Sequence, residues 1–240
     1  MTIHMGIDMT PERRDKFIAT LNRRQPDLSL ITDQVHKGRN IAALIRTADA
    51  VGIGEIHSVE PKEGYRFRGT TQGSDRWVKN VLHADCESAI CSVKAQGMKV
   101  YAAHFSDRAV DYRSLDYTKP CAFLMGSEKE GVSDEAAALA DEHILIPMMG
   151  MVASLNVSTA AGIILIEAQN QRMQAGLYDA PRMPAAEFND TLFAWGYGDL
   201  AKYCHDKGLE YPPVNEAFEL LNPSDWYEQV RLGEAPLRQW

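Results

Sequence analysis

The chain has 240 residues, of which 45% are hydrophobic and 24% charged, the composition of a soluble globular protein. No apolar run is long enough to cross a bilayer, so a membrane-spanning protein is excluded. The net charge of −8 argues against a nucleic-acid partner, but residues 181–240 alone carry ten Asp and Glu against five Lys and Arg. Residues 1–50 carry eight Lys and Arg against six Asp and Glu, so a locally basic face remains compatible with RNA binding.

The first predicted element is a basic helix. Thr10 and Pro11 are a typical N-cap and first helical residue, and arginines follow in pairs, Arg13 with Arg14 and then Arg23 with Arg24. Taken alone, these charges are better explained by a solvated amphipathic helix than by an RNA-binding helix.

A short strand is predicted over residues 30–36, followed by a turn and a helix with Asn40 as its N-cap. One face of that helix is apolar, and the other holds small residues such as Ala43 and Ala50. Arg46 stands almost alone among these small residues. This pattern favours an arginine that points into a pocket or an interface, with a surface salt bridge as the alternative.

Residues 61–76 are predicted to form a long loop in which basic residues alternate with aromatic ones. The basic residues in and just after this loop are Lys62, Arg66, Arg68, Arg76 and Lys79. Such a segment suits phosphate contacts and base stacking. A mobile loop without a binding role is the alternative.

The remainder of the central region alternates strands with helices, which indicates an α/β protein with a mostly parallel sheet. The predicted strands after residue 36 are 55–60, 78–83, 98–104, 121–125 and 143–146, and the predicted helices are 85–96 and 133–140. Ligands bind such sheets beyond the carboxyl ends of the strands, where the loops at 104–106, 126–131 and 147–153 follow.

The third of these loops has no polar side chain from Pro147 to Ala153. It is therefore expected to pack inside the protein or to line an apolar cleft. Ser154, Asn156 and Ser158 then predict the start of a buried helix that ends near residue 176. The stretch has the form of a ligand site, although a core helix with an ordinary cap has the same pattern.

Two other classes of site find little support. Gly52-Ile53-Gly54 is not a dinucleotide-binding loop, because His57 stands where the third glycine belongs and a strand follows instead of a helix. The four cysteines lack the spacing of a zinc site or a disulfide framework, so we expect free thiols and no metal. The first ten residues lack the apolar core of a secretory signal, and a cytoplasmic location is expected.

Three segments, in this order, resemble the motifs of the SpoU–TrmH branch of the SPOUT RNA methyltransferases. They are Asn40–Arg46, Leu124–Gly131 and Ile146–Ser158, and the resemblance covers about residues 10–178. It implies a trefoil-knotted, mostly parallel α/β sheet with helices on both faces, S-adenosyl-L-methionine as cofactor and a homodimer. The corresponding domains are a basic helical extension at 1–28, the methyltransferase domain at 29–178 and a helical tail at 179–240.

Within that branch the chain is most similar to enzymes that methylate the ribose 2′-OH of guanosine 18 in the tRNA D-loop. The cofactor residues implied by the resemblance are Ala103, His104, Gly126, Ile146, Met148 and Leu155. The implied catalytic residues are Arg46, Asn40, Glu128, Ser154 and Asn156. The expected RNA-binding residues are Arg13, Arg14, Arg23, Arg24, Arg66, Arg68 and Arg172.

The resemblance assigns Arg46 as the catalytic arginine, and relatives are often described with this residue as a general base. Arginine keeps its proton at neutral pH, and a phosphate contact would stabilise the cation further. We therefore expect Arg46 to orient the phosphate and the 2′-oxygen. Two alternatives to tRNA methylation remain open: ribosomal RNA 2′-O-methylation by an enzyme of the same branch, and RNA binding by a catalytically silent dimer.

Overall fold

The structure, a computed structural model, describes residues 9–59, 76–127 and 129–238. The chain divides into two compact units. One is Arg23–Arg182, and the other consists of the described parts of the two terminal segments, Met1–Asn22 and Met183–Trp240. The N-terminal extension and the C-terminal tail, which were predicted as separate domains, therefore contribute to one unit. Its boundaries lie at 22/23 and 182/183, whereas 28/29 and 178/179 were predicted.

Seven strands in the described part of the chain form one sheet, and every pairing in it is parallel. The strands are β1 (Leu28–Thr32), β2 (Glu55–Val59), β3 (Lys79–His83), β4 (Lys99–Ala103), β5 (Val110–Asp111), β6 (Cys121–Met125) and β7 (Glu142–Leu145). Their order across the sheet is β3-β2-β1-β6-β4-β7-β5.

Eight α-helices lie within the same described ranges. They are α1 (Pro11–Leu21), α2 (Gly38–Ala50), α3 (Cys86–Ala95), α4 (Asp134–Leu139), α5 (Val157–Gln174), α6 (Ala185–Gly196), α7 (Gly198–Lys207) and α8 (Pro223–Leu232). None of the described helices is long and apolar enough to span a membrane.

The central strands are buried on both faces, as a parallel sheet with helices on each side requires. Alternate side chains of β1 and β6 enter two separate cores: Leu30 and Phe123 pack with residues of α2 and α5, and Ile31 and Leu124 pack with residues of α3 and α4. The predicted α/β fold with a parallel sheet and helices on both faces is confirmed. The trefoil knot stays a prediction.

The predicted start of α2 was wrong. The helix begins at Gly38, and Asn40 lies inside its first turn with a buried side chain that accepts a hydrogen bond from Asn156. Strand β1 covers Leu28–Thr32 and so begins and ends earlier than predicted; just after it, the Asp33 carboxylate accepts hydrogen bonds from the backbone N–H and the hydroxyl of Ser133. Strand β5 was missed because it has only two residues.

In the terminal unit, α1 begins as predicted, with the Thr10 hydroxyl accepting a hydrogen bond from the Arg13 N–H at 3.3 Å. The buried Phe17 ring meets the Trp195 ring edge-on at 5.5 Å, so α1 packs against α6. Together with the stacking of Phe193 on Tyr211 at 4.1 Å, this contact gives the unit an apolar core of its own.

Candidate active site

Three loops follow neighbouring strands of the sheet and meet at its carboxyl-terminal edge. They follow β4, β6 and β7, which are adjacent in the order β6-β4-β7. Because all three strands are parallel, their carboxyl ends lie at one edge, which is where parallel α/β sheets bind ligands. The structure thus brings together the three loops that the sequence analysis selected.

The loops enclose a cavity of about 670 Å³, within the usual range for small-molecule and cofactor sites. The described residues around it are Ala103, His104, Phe105, Met125, Gly126, Ser127, Lys129, Glu130, Gly131, Ile144, Leu145, Ile146, Met148, Ala153, Ser154, Leu155, Val157, Ala160 and Ile164. All six residues expected to bind the cofactor, and Ser154, are among them. The structure shows that these residues lie around one cavity, whereas their contact with a cofactor stays a prediction.

Gly126 shapes one wall of this cavity because no larger residue fits there. A Cβ atom at this position would lie 1.9 Å from the carbonyl carbon of Gly131 and 2.0 Å from the nitrogen of Val132. The following turn is closed by two backbone hydrogen bonds between Ser127 and Gly131, of 2.9 and 3.0 Å. Glu128, an expected catalytic residue in this turn, lies outside the described residues.

The apolar loop after β7 is only partly enclosed. Ile146 and Met148 are half-buried at the cavity, whereas the side chains of Met149 and Met151 are 92% and 102% exposed. The loop was expected to pack inside the protein or to line a cleft. This holds for its two ends, where Met148 and Ala153 line the cavity, and is wrong for its tip around Met149 and Met151 in the single chain. Its tip adds an exposed apolar surface beside the cavity.

Asn156 fixes the start of α5 next to the cavity. Its Oδ1 accepts hydrogen bonds from the N–H of Ser158 at 2.9 Å and from the Ser158 hydroxyl at 2.6 Å, as an N-cap does. Its Nδ2 donates to Asn40 Oδ1 at 3.4 Å, which connects α5 to α2. The structure therefore places two of the expected catalytic residues together.

Arg46 lies on a different side of α2 from Asn40. Its side chain is exposed, along the same outward face as Ala43 and Ala50, whereas Asn40 is buried. Among the described residues, Arg46 does not line the cavity of its own chain. The predicted small-residue face around Arg46 is present, on the surface of the single chain.

His104 is the ionisable side chain at the β4 edge of the cavity. Burial lowers the pKa of its imidazole below the ordinary value, and the neighbouring His143 and Arg108 act in the same direction, against the opposite effect of Asp134. His104 is therefore expected to be neutral at pH 7, so its imidazole adds no positive charge to this edge of the cavity.

Two of the expected RNA-binding arginines are buried, and for them the prediction was wrong. Arg24 is 1% exposed and donates to the carbonyl oxygens of Ile53 and Trp77 and to Asp49. Arg172 is fully buried and donates to Asp27 Oδ1 at 2.7 Å, as well as to several backbone carbonyls. Both guanidinium groups hold protein segments together and are not available to phosphates.

The other arginines of that group differ in their surroundings. Arg23 is exposed, Arg13 lies over the Phe17 ring at 5.3 Å, and Arg14 donates to Asp15 and to the carbonyl oxygen of Glu216. Arg66 and Arg68 lie outside the described residues. RNA contacts of these five arginines remain a prediction.

The start of α5 was predicted as part of a ligand site, but Val157, Ala160 and Ile164, which form one wall of the cavity, were not named as site residues. These residues are spaced by three and four positions, so they share one helix face. That spacing was the only sequence signal for this wall, and it could not identify a cavity because the apolar face of any buried helix has the same spacing.

The comparisons with known proteins agree with this architecture. The sequence model of the SpoU rRNA methylase family matches residues 27–166, and that of the SpoU rRNA methylase C-terminal region matches residues 170–223. A tRNA (guanosine(18)-2′-O)-methyltransferase of Escherichia coli K12 is 48% identical over 230 residues, which cover 94% of this chain and all of the relative.

Two solved structures are similar as well. The TrmH/SpoU tRNA-modifying enzyme of Aquifex aeolicus superposes with a TM-score of 0.73 at 38% identity, over 79% of this chain and 97% of the other. An AdoMet-bound rRNA methyltransferase of Sinorhizobium meliloti gives a TM-score of 0.53 at 33% identity, over 64% of this chain and 59% of the other. With its parallel sheet, its cavity at the strand ends and a family match over more than half its length, this chain belongs to the SpoU rRNA methylase family.

Proposed function

We propose that this protein transfers a methyl group from S-adenosyl-L-methionine to the ribose 2′-OH of guanosine 18 in the D-loop of tRNA. One observation carries the proposal: the similarity to a relative named for this reaction extends over all of that relative, including the terminal segments outside the sheet. The expected cytoplasmic location belongs to the same proposal, since tRNA is the substrate.

The ribosomal RNA alternative has weaker support. The rRNA methyltransferase of Sinorhizobium meliloti is matched over only 59% of its length, and the match leaves out about a third of this chain. The tRNA-modifying enzyme of Aquifex aeolicus is matched over 97% of its length. Both relatives share the central domain with this chain, so the substrate is inferred from how much of each relative is matched, which favours tRNA.

The residues around the cavity suit S-adenosyl-L-methionine. Ile146, Met148 and Leu155 offer an apolar surface for an adenine ring, and the neutral His104 avoids repulsion with a sulfonium. Ser127 and Ser154 supply hydroxyl groups for the polar parts of the cofactor. When bound, S-adenosyl-L-methionine supplies an electrophilic methyl group, and the protein has to align the 2′-oxygen with it.

Arg46 is the residue to which we assign that alignment. Its planar guanidinium can hold a phosphate and the ribose oxygen at once, with the proton leaving to water. Asn40 and Asn156 hold α2 against α5 and so fix the helix that carries Arg46. Glu128 and Ser154 complete the expected catalytic set.

A homodimer fits the exposed surface of α2 and α5. These helices pack side by side, and their outward faces carry Ala43, Ala50 and the exposed apolar side chains of Ile166 and Met173. A second copy on this face would bury apolar surface and enclose Arg46 in the interface. Sedimentation at micromolar concentration tests this, and a monomer would contradict it.

Electrostatic contacts with tRNA are assigned to Arg13, Arg14, Arg23, Arg66 and Arg68. Each phosphate contact steepens the dependence of affinity on salt, so replacing Arg13 and Arg14 together by alanine should flatten the log–log slope by about one per lost contact. An unchanged slope would assign this helix to the solvated surface.

The function is tested by incubating the purified protein with labelled S-adenosyl-L-methionine and either unmodified tRNA or ribosomal RNA, followed by nucleoside analysis. We expect 2′-O-methylguanosine in the tRNA and none in the ribosomal RNA. Label in ribosomal RNA alone would favour the ribosomal alternative. RNA binding without any transfer would identify a catalytically silent dimer.

A further inference from the structure

A buried histidine lies beneath the cavity, on the opposite face of the sheet. His143 of β7 is 5% exposed, and its neighbour Ile144 points into the cavity. Because successive strand residues face opposite sides, His143 points away from the cavity towards α4. No step of the proposed methyl transfer uses this side chain.

His143 joins two segments that are distant in sequence. Its Nδ1 lies 2.7 Å from the hydroxyl oxygen of Ser106, and its Nε2 lies 2.6 Å from an Nη atom of Arg108. Arg108 also donates to the carbonyl oxygens of Ala137 and Ala140 at the end of α4. The loop of residues 104–109 is therefore held at two points, Ser106 and Arg108.

The Nε2 atom of His143 lies close to both a donor and an acceptor. The Arg108 guanidinium can only donate, whereas the carbonyl oxygen of Ala137, 2.8 Å from Nε2, can only accept, so each tautomer of the imidazole satisfies one of these two partners. The Ser106 hydroxyl can donate to Nδ1 or accept from it, so both tautomers satisfy this contact. Each tautomer therefore leaves His143 hydrogen-bonded to Ser106 on one side and to Arg108 or Ala137 on the other.

The held loop forms one edge of the cavity. His104 and Phe105 both line it, and the His104 ring meets the His143 ring edge-on with centroids 5.0 Å apart. Phe105 is 87% exposed, so it has little packing of its own to hold it in place. The backbone N–H of His104 donates to the carbonyl oxygen of Ile144 at 3.2 Å, and beyond His104 the contacts from the far face of the sheet restrain the loop.

We propose that His143 is a positioning residue for cofactor binding, which holds the 104–109 loop through Ser106 and Arg108 so that His104 and Phe105 form the edge of the cavity. This inference rests on the proposed function, because it takes S-adenosyl-L-methionine as the ligand. A positioning role predicts weaker cofactor binding, while turnover at saturating cofactor and tRNA stays close to that of the original protein.

The test compares four variants by calorimetric binding of S-adenosyl-L-methionine without RNA, by thermal unfolding, and by kcat and the KM for the cofactor. Ser106→Ala removes one hydrogen bond to His143, and His143→Leu removes both contacts. His143→Asn keeps a donor near Ser106 and is the conservative rescue. Tyr178→Phe is the matched control, since it removes one hydrogen bond of 2.7 Å, to the carbonyl of Val51, at the amino-terminal edge of the sheet.

We expect Ser106→Ala and His143→Leu to raise the Kd and KM for the cofactor about three- to tenfold, the range for one lost hydrogen bond, with kcat changed less than twofold. His143→Asn should recover most of the affinity, and Tyr178→Phe should lower the melting temperature without changing the Kd. An unchanged Kd in folded Ser106→Ala would overturn the proposal, even if His143→Leu fails to fold. So would a loss of kcat at constant KM. If the unaltered protein binds no S-adenosyl-L-methionine, the proposed function fails instead.

Discussion

Gly126 offers a sharp test of the cavity, because the structure leaves no space for a side chain there. In Gly126→Ala the new Cβ would lie 1.9 Å from the Gly131 carbonyl carbon, whereas non-bonded carbon atoms normally approach to about 3.5–4.0 Å. The backbone around Gly131 must therefore move by about 1.5–2 Å. A shift of that size moves the wall that faces the cofactor.

The magnitude follows from the contacts that this movement breaks. The two backbone hydrogen bonds between Ser127 and Gly131 cannot survive it, and each contributes about 0.5–1.5 kcal/mol. The free energy of unfolding is therefore expected to fall by about 1–3 kcal/mol, which is similar to the usual effect of overpacking. Cofactor affinity should fall about tenfold or more, since about 1.4 kcal/mol corresponds to a factor of ten.

Calorimetry with S-adenosyl-L-methionine and urea unfolding measure the two effects. Gly150→Ala is the matched control, because it makes the same substitution in a neighbouring loop where a Cβ meets nothing within 4 Å. We expect Gly150→Ala to keep both its stability and its affinity. If Gly126→Ala binds the cofactor as tightly as Gly150→Ala does, the described wall of the cavity is wrong.

Three further predictions concern other parts of the larger unit. Arg172→Met should lower the free energy of unfolding by about 1–3 kcal/mol, because the carbonyl oxygens of Tyr117 and Lys119 lose a buried donor while Asp27 keeps its ion pair with Arg182, and urea unfolding would reveal a merely solvated arginine as a change near zero. Burial alone would raise the pKa of Asp27, but hydrogen bonds from Arg182 and Arg172 outweigh it and hold that pKa below the ordinary value. The carboxylate therefore stabilises the fold above the pKa of an unfolded Asp, near 3.9, and this stabilisation is lost as the pH falls through the folded pKa. Between about pH 5 and 2 the unaltered protein should lose more stability than Asp27→Asn, and parallel curves would contradict this. Arg46→Lys should bind tRNA and cofactor nearly normally and lose at least about 10²-fold in single-turnover rate, whereas a near-normal rate that rises towards pH 10 would favour the general-base role.

Most of the sheet could be predicted from sequence because each central strand is a short apolar run between turn residues. Residues 121–125 were predicted with the bounds of β6, and the ligand edge followed from the parallel order. The two-residue β5 was missed, since it is too short to show a period. Asn40 was misplaced because a good N-cap residue can also be buried inside the first turn when a partner such as Asn156 is present.

The site residues were predicted less completely than the sheet, because the surroundings of several of them depend on partners that are distant in the sequence. Arg24 and Arg172 look like other basic residues of amphipathic helices, and their burial depends on Asp49 and Asp27, which only the fold brings near. His143 was not predicted as a site residue for the same reason, because its partner Ser106 lies 37 positions away in the sequence. The three loops at the cavity were located from the order of the strands, whereas the individual cofactor residues were assigned through the resemblance to a family.

Site-specific methylation tests the proposed reaction most directly. Two tRNA transcripts would be compared, identical except that one carries 2′-deoxyguanosine at position 18, which lacks the oxygen that accepts the methyl group. With labelled S-adenosyl-L-methionine and the unaltered protein, we predict methylation of the all-ribose transcript and none of the deoxy transcript. Equal incorporation into both would show that the methyl group goes elsewhere and would contradict the assignment of guanosine 18.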